Sequence, residues 1–214
     1  MKRHLFTLEI ATFSVILLIF IIPPFFAQPV SSESTLFSQW SFPLAQLIMA
    51  CFAVLLCILF YEPEKKWLKL FPGIFSVCLL FCNALLLKGI SVFMTGQDAG
   101  EITVELPENL ISWCFCILNF LLAGFYEEVL YRMYFPEALV CLLGRKFNGK
   151  WLKVVCELTG CLAFAFAHLY LGWLAVINAA IAHLILRWCF KSSGIIWAGV
   201  GAHFVYNLIS LILL

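Results

Sequence analysis

Polar residues are the exception along this chain. Apolar positions run almost unbroken through residues 5–27, 41–61, 73–94, 108–131, 152–170, 171–190 and 194–214, separated by short polar breaks. A run of ~18 or more apolar residues is long enough to cross a bilayer as a helix. Lipid offers backbone groups no partners, so each run is predicted to be helical. A shorter amphipathic stretch, residues 133–144, follows the fourth run and contains Pro136. A proline lacks the N–H that a helix interior uses. The stretch is therefore expected to bend or end the fourth helix. If the helix ends at Arg132, the stretch lies along the interface and Glu127 is near the inner surface; if it continues to Gly144, Glu127 is deeper, closer to the level of His168. The prediction is an all-α, polytopic transmembrane bundle of about seven spans. Residues 1–107 supply three N-terminal spans, and residues 108–214 form a helical core whose last four spans enclose a polar intramembrane cavity.

Composition narrows the reading. The 214 residues are 64% hydrophobic and 12% charged, with a mean hydropathy of +1.04. A water-soluble fold needs more polar surface than this. The first apolar run is too long for the core of a signal peptide and lacks a small-residue cleavage site, so it is kept as a membrane helix. The net charge of +1, with no basic tract interleaved with aromatics, gives no sign of a nucleic-acid partner; membrane lipid is the expected surrounding. All ten cysteines (Cys51, Cys57, Cys78, Cys82, Cys114, Cys116, Cys141, Cys156, Cys161 and Cys189) fall in apolar stretches. They read as small packing residues rather than a disulfide frame, and Cys114 and Cys116 lack the clustered partners of a metal site.

Charge assigns an orientation. Lys2 and Arg3 precede the first run, and Lys65, Lys66 and Lys69 follow the second. Arg145, Lys146, Lys150 and Lys153 follow the fourth, and Arg187 and Lys191 lie between the sixth and seventh. The opposite breaks hold Glu33, Asp98, Glu101, Glu105 and Glu108, with no lysine or arginine. The positive-inside rule then predicts a cytoplasmic N-terminus and a C-terminus on the far side. The short chain and compact loops point to a bacterial cell membrane rather than a eukaryotic endomembrane. Lys88, inside the third run, is expected to snorkel or to face a partner within the bundle.

Against this background three groups of polar residues stand out. Glu127 and Glu128 adjoin each other, and a carboxylate in the bilayer costs several kcal/mol on insertion scales. Glu128 and Arg132 are four apart and can pair on one helix face. Glu127, about 100° round the helix, is left to address something else. One carboxylate neutralised and one available as base or ligand is what a hydrolytic site uses; the plainer reading is a pair of helix-end charges anchored by Arg132. Phe164 lies one turn before His168 and can pack on its imidazole, although a lone membrane histidine is often a helix–helix hydrogen bonder. His203 and Asn207 share a face of the last run, after the small residues of residues 197–202, which let a neighbour approach closely. Together a carboxylate, two imidazoles and an amide can activate water and stabilise an oxyanion.

These motifs resemble those of the CPBP family, which includes the CAAX prenyl endopeptidases and the bacteriocin-processing or Abi-type proteins. The family pattern is EExxxR, FxxxH and HxxxN or HxxxD on successive helices; here it is Glu127-Glu128-x-x-x-Arg132, Phe164-x-x-x-His168 and His203-x-x-x-Asn207. The resemblance covers residues 110–214. It implies an intramembrane endopeptidase acting on a membrane-associated or lipidated peptide or protein, with Glu127 and His168 activating water. His203 and Asn207 would bind the oxyanion, while Glu128, Arg132 and Phe164 would hold the architecture. In a metallo-type variant Glu127, His168 and His203 would ligate zinc or another divalent metal; in a glutamate-type variant no metal is needed. The family usually has glycine after the motif arginine, and this chain has Met133. Two other functions use the same residues: a non-proteolytic immunity or scaffold protein of the family, and a small proton-coupled transporter, for which matched half-repeats would be expected. His183 is read as core packing or a helix–helix hydrogen bond, and Asn178 is placed on a different part of that helix. His4 is taken as interfacial, and Glu137 and Glu157 as surface charges.

Overall fold

The computed structural model describes residues 3–26, 40–61, 70–95, 106–147 and 149–213. The charged positions Lys2, Glu33, Lys65, Lys66, Lys69, Asp98, Glu101 and Glu105 lie outside them. The described residues form helices and no strand: α1 (Arg3–Ile16), α2 (Leu44–Phe60), α3 (Leu70–Thr95), α4 (Leu110–Glu127), α5 (Phe135–Leu143), α6 (Lys150–Phe166), α7 (Trp173–Ser193) and α8 (Ile196–Leu213). Asn109 starts α4 from an extended backbone, its side chain accepting a hydrogen bond from the Ser112 N–H at 2.9 Å. That satisfies one of the donors a helix start leaves free. Gly194 ends α7 in the left-handed region at φ 73°, where glycine avoids the Cβ penalty, and the chain reverses into α8.

The fourth apolar run and the amphipathic stretch after it are one continuous helix, Leu110–Leu143, not a span followed by an interfacial segment. Between α4 and α5 lies a π-helical turn, Glu128–Tyr134. There the Phe135 N–H reaches the Leu130 carbonyl five residues back. The widened register lets Pro136 follow without breaking the helix, a tolerance that such bulges and neighbouring helices commonly give. All seven residues of the turn are buried, and α2, α6, α7 and α8 pack around it. Helix α6 comes especially close: a Cβ on Gly160 would lie 3.0 Å from Pro136 Cγ.

Among the described residues five helices are long and apolar enough to cross a membrane: Leu8–Phe26, Leu70–Met94, Leu110–Leu143, Trp173–Ser193 and Ile196–Leu213. Helices α2 and α6 have 17 residues each, roughly 25 Å at helical rise, a little under the ~30 Å hydrocarbon core. The outer surface is apolar, with Phe93 90% and Leu110 80% exposed, whereas the fully buried side chains include Glu128, Arg132 and His183. That inverted distribution suits lipid as the solvent, and the chain is an integral membrane protein. All ten cysteines are free thiols, four of them buried.

Candidate active site

Glu128 and Arg132 sit one turn apart within the buried π turn, each side chain fully inaccessible, with Arg132 Nε 3.4 Å from Glu128 Oε1. The same Glu128 oxygen lies 3.1 Å from His203 Nδ1. Helix α8 thus carries His203 into the turn, and Glu128 fixes the face that the imidazole presents. The other ring nitrogen, Nε2, lies 3.8 Å from Glu127 Oε2. One imidazole is therefore flanked by both members of the glutamate pair. Glu127 is the more accessible of the two, 15% exposed in its side chain against none for Glu128.

Phe164 joins the second motif to the first. Its ring centroid lies 3.7 Å from Arg132 Cζ, a cation–π contact that counts for more in a desolvated site. It is also 4.7 Å from the His168 ring centroid. His168 closes the end of α6, its Nδ1 2.9 Å from the Phe164 carbonyl oxygen. With Nδ1 donating to that carbonyl, Nε2 carries the lone pair. Among the described residues no hydrogen bond or ion pair joins His168 to Glu127 or His203, and Asn207, half-buried one turn beyond His203, makes no hydrogen bond. The structure brings Glu127, Glu128, Arg132 and His203 together directly; Phe164 connects His168 to Arg132 by ring packing.

Sequence reasoning missed the tyrosines. The Tyr126 hydroxyl donates to Glu127 Oε1 at 3.3 Å, and Tyr131 and Tyr170 also lie near enough to feel the Glu127 charge. Aromatic residues beside a glutamate pair read as ordinary span composition, so no sequence signal marked them. Gly199 was seen only as one of several small residues. A Cβ there would sit 2.7 Å from Glu128 Oε2, so this glycine keeps the space in which the carboxylate stands. Glu128 Oε2 itself has no hydrogen-bond partner among the described residues.

Glu137 and Glu157 are not simple surface charges. Arg187, buried in α7, donates from Nε and Nη2 to Glu157 at 2.8 and 2.6 Å and from Nη2 to Glu137 at 2.7 Å. Its Nη1 donates to the Arg132 backbone carbonyl. Lys191 adds a contact to Glu157. His183 is buried against Phe164, ring centroids 5.8 Å apart; neither nitrogen has a hydrogen-bond partner among the described residues, so it packs rather than bonds. Asn178 accepts a 2.6 Å hydrogen bond from Asn83 of α3 and donates to the Tyr206 hydroxyl, tying α3, α7 and α8. A cavity of about 590 Å³ is lined by Glu9, Tyr61, Met133, Tyr134, Glu137 and Lys191 among others, and by no glutamate or histidine of the three motifs.

Among the described residues no three histidine, cysteine or acidic side chains converge to grip one ion. His203 Nδ1 faces Glu128 and His168 Nδ1 faces a backbone carbonyl, the outer partners that commonly orient a metal-ligating imidazole, so Nε2 of each would be the ligating atom in a metallo-type site.

Residues 109–209 match the family model described as type II CAAX prenyl endopeptidase Rce1-like. No curated protein and no solved structure shows a significant likeness to the chain. The match spans every residue of the three motifs and the whole of the cluster around His203, and through this region the chain is similar to the type II CAAX prenyl endopeptidases.

Proposed function

We propose that the chain is an intramembrane endopeptidase that hydrolyses a peptide bond in a membrane-associated, lipidated substrate. The observation that carries this reading is the His203 imidazole, held at Nδ1 by buried Glu128 and facing accessible Glu127 with Nε2. In this mechanism a water held between Glu127 and His168 Nε2 gives its proton to the Glu127 carboxylate. Its oxygen attacks the scissile carbonyl carbon, and the carbonyl electron pair moves onto oxygen. His203, protonated at Nε2, and the Asn207 amide donate to that oxyanion. As the tetrahedral species collapses, the C–N bond breaks and Glu127 passes its proton to the leaving nitrogen. Glu128, neutralised by Arg132, keeps the imidazole in register and takes no proton in the cycle.

Purified protein in liposomes is expected to cleave a farnesylated CAAX peptide at the bond after the lipidated cysteine; intact peptide after prolonged incubation, in liposomes where the protein is folded, would end this reading. Gly199→Ala supplies a second check. Its methyl group meets Glu128 Oε2 and must push the carboxylate from His203, so cleavage should fall roughly ten- to a hundredfold. Gly201→Ala, where a Cβ meets nothing within 4 Å, should leave the rate unchanged. Equal effects at the two glycines would mean that the carboxylate's position does not matter.

A further inference from the structure

We propose that Arg187 supplies the hydrogen-bond donor that Pro136 removes from the helix, and so holds the turn bearing Glu127, Glu128 and Arg132 in its working position. The consequence for catalysis rests on the function proposed above; the replacement of the donor does not.

In an α-helix the N–H of each residue bonds the carbonyl four residues before it. The π turn ends with the Phe135 N–H on the Leu130 carbonyl, and where α5 resumes the four-residue register Pro136 has no N–H to offer, so the Arg132 carbonyl lacks the donor four residues on. Arg132 is wholly buried, and a buried carbonyl without a partner is costly. Arg187 of α7 fills this vacancy, its Nη1 donating to the Arg132 carbonyl 55 residues away in sequence. Its other guanidinium donors are committed as well. Nε and Nη2 form a fork on Glu157 of α6, and Nη2 also reaches Glu137 of α5. A planar fork held at both ends fixes the guanidinium in orientation as well as place, which a lysine ammonium would not.

The residue gripped through its backbone is the one whose side chain pairs with Glu128, and Glu128 in turn bonds His203. Arg187 touches none of the reacting groups, so it is a positioning residue. The pattern also gives a use to a proline inside a 34-residue helix, about two turns from its C-terminal end: it opens a carbonyl to which α7 docks.

The experiment is a double-mutant cycle on the full chain in liposomes, reading kcat and KM on a farnesylated CAAX peptide and the thermal unfolding midpoint. Arg187→Gln should lower kcat roughly tenfold with KM changed by less than about twofold, and should lower the midpoint. Pro136→Ala alone should lie near wild type, losing only the ring contact with Gly160. In the Arg187→Gln background, Pro136→Ala restores an N–H to the helix and should recover most of both losses; additive losses would overturn the proposal. If Arg187→Gln alone fails to accumulate, accumulation of the double variant is the same recovery, and its failure the same refutation. The unfolding arm needs no substrate. A wild type that leaves the peptide intact defeats the functional reading, while recovery of the midpoint still decides whether Arg187 replaces the missing donor.

Discussion

A Glu127→Gln protein should insert and fold like the wild type yet cleave a farnesylated CAAX peptide about a thousandfold more slowly or worse. Removal of a positioned general base typically costs 10²–10⁴ in rate, and glutamine cannot accept the proton that the attacking water must lose. Folding should survive because the contacts of Glu127 are few and partly accessible. Tyr126 donates to one oxygen at 3.3 Å, which an amide oxygen accepts equally well, and His203 keeps its shorter 3.1 Å bond to Glu128. The comparison with Glu128→Gln is informative because the neighbouring residue has the opposite profile. Its carboxylate is fully buried, balances Arg132 and orients His203, so its amide should lose thermal stability along with activity. The kinetic split belongs to the first variant, with kcat collapsing and KM little altered. More than a tenth of wild-type kcat in Glu127→Gln would remove Glu127 from the chemistry and move attention to His168.

Arg132→Met should destabilise the fold by about 3–5 kcal/mol, the range found when one partner of a buried ion pair is deleted. Methionine matches much of the arginine's length, so little of the effect comes from a cavity. What remains is a Glu128 carboxylate with no counter-ion except His203, in a turn where all seven residues are buried. The Phe164 ring also loses the cation stacked at 3.7 Å. Thermal or denaturant unfolding in detergent, followed by helical signal, reads the effect directly. Adding Glu128→Gln to Arg132→Met removes the stranded charge and should return a large part of the stability. Cleavage should not return with it, because His203 then lacks the carboxylate charge that stabilises its protonated form. An unchanged unfolding midpoint in the single variant would show that Glu128 is already neutral and that the pair is not an ion pair.

Much of this architecture was legible from pattern alone. The apolar runs marked the helices, and the four-residue spacings in Glu128–Arg132, Phe164–His168 and His203–Asn207 put each group on one helix face. What spacing could not supply was the turn between α4 and α5. Pro136 argued for a helix end, and the register change that accommodates it depends on packing from α2, α6, α7 and α8. The roles of Glu137 and Glu157 were hidden for the same reason. Near the end of an apolar run, a carboxylate bound for a buried arginine looks like any solvated charge until residue 187 is placed beside it. Asn83 and Asn178, 95 residues apart, show the limit most plainly: neither is on a motif, and their partners come only from the packing of α3, α7 and α8. The resemblance implies that Glu127 and His168 act together on one water, and spacing gave no hint that His203 of α8 is the imidazole that both glutamates face.

The π turn also bears on how the protein is made. Nine consecutive residues, from Glu128 to Pro136, are buried in the finished fold, yet synthesis proceeds from the N-terminus, so their helix enters the membrane before α6, α7 and α8 exist. Glu128 and Arg132 can then travel as a neutral couple within one helix, needing no later partner to offset each other. His203 arrives only with the final segment. On the proposed function, a nascent chain therefore carries an incomplete centre until α8 docks, and cleavage waits on that final packing step.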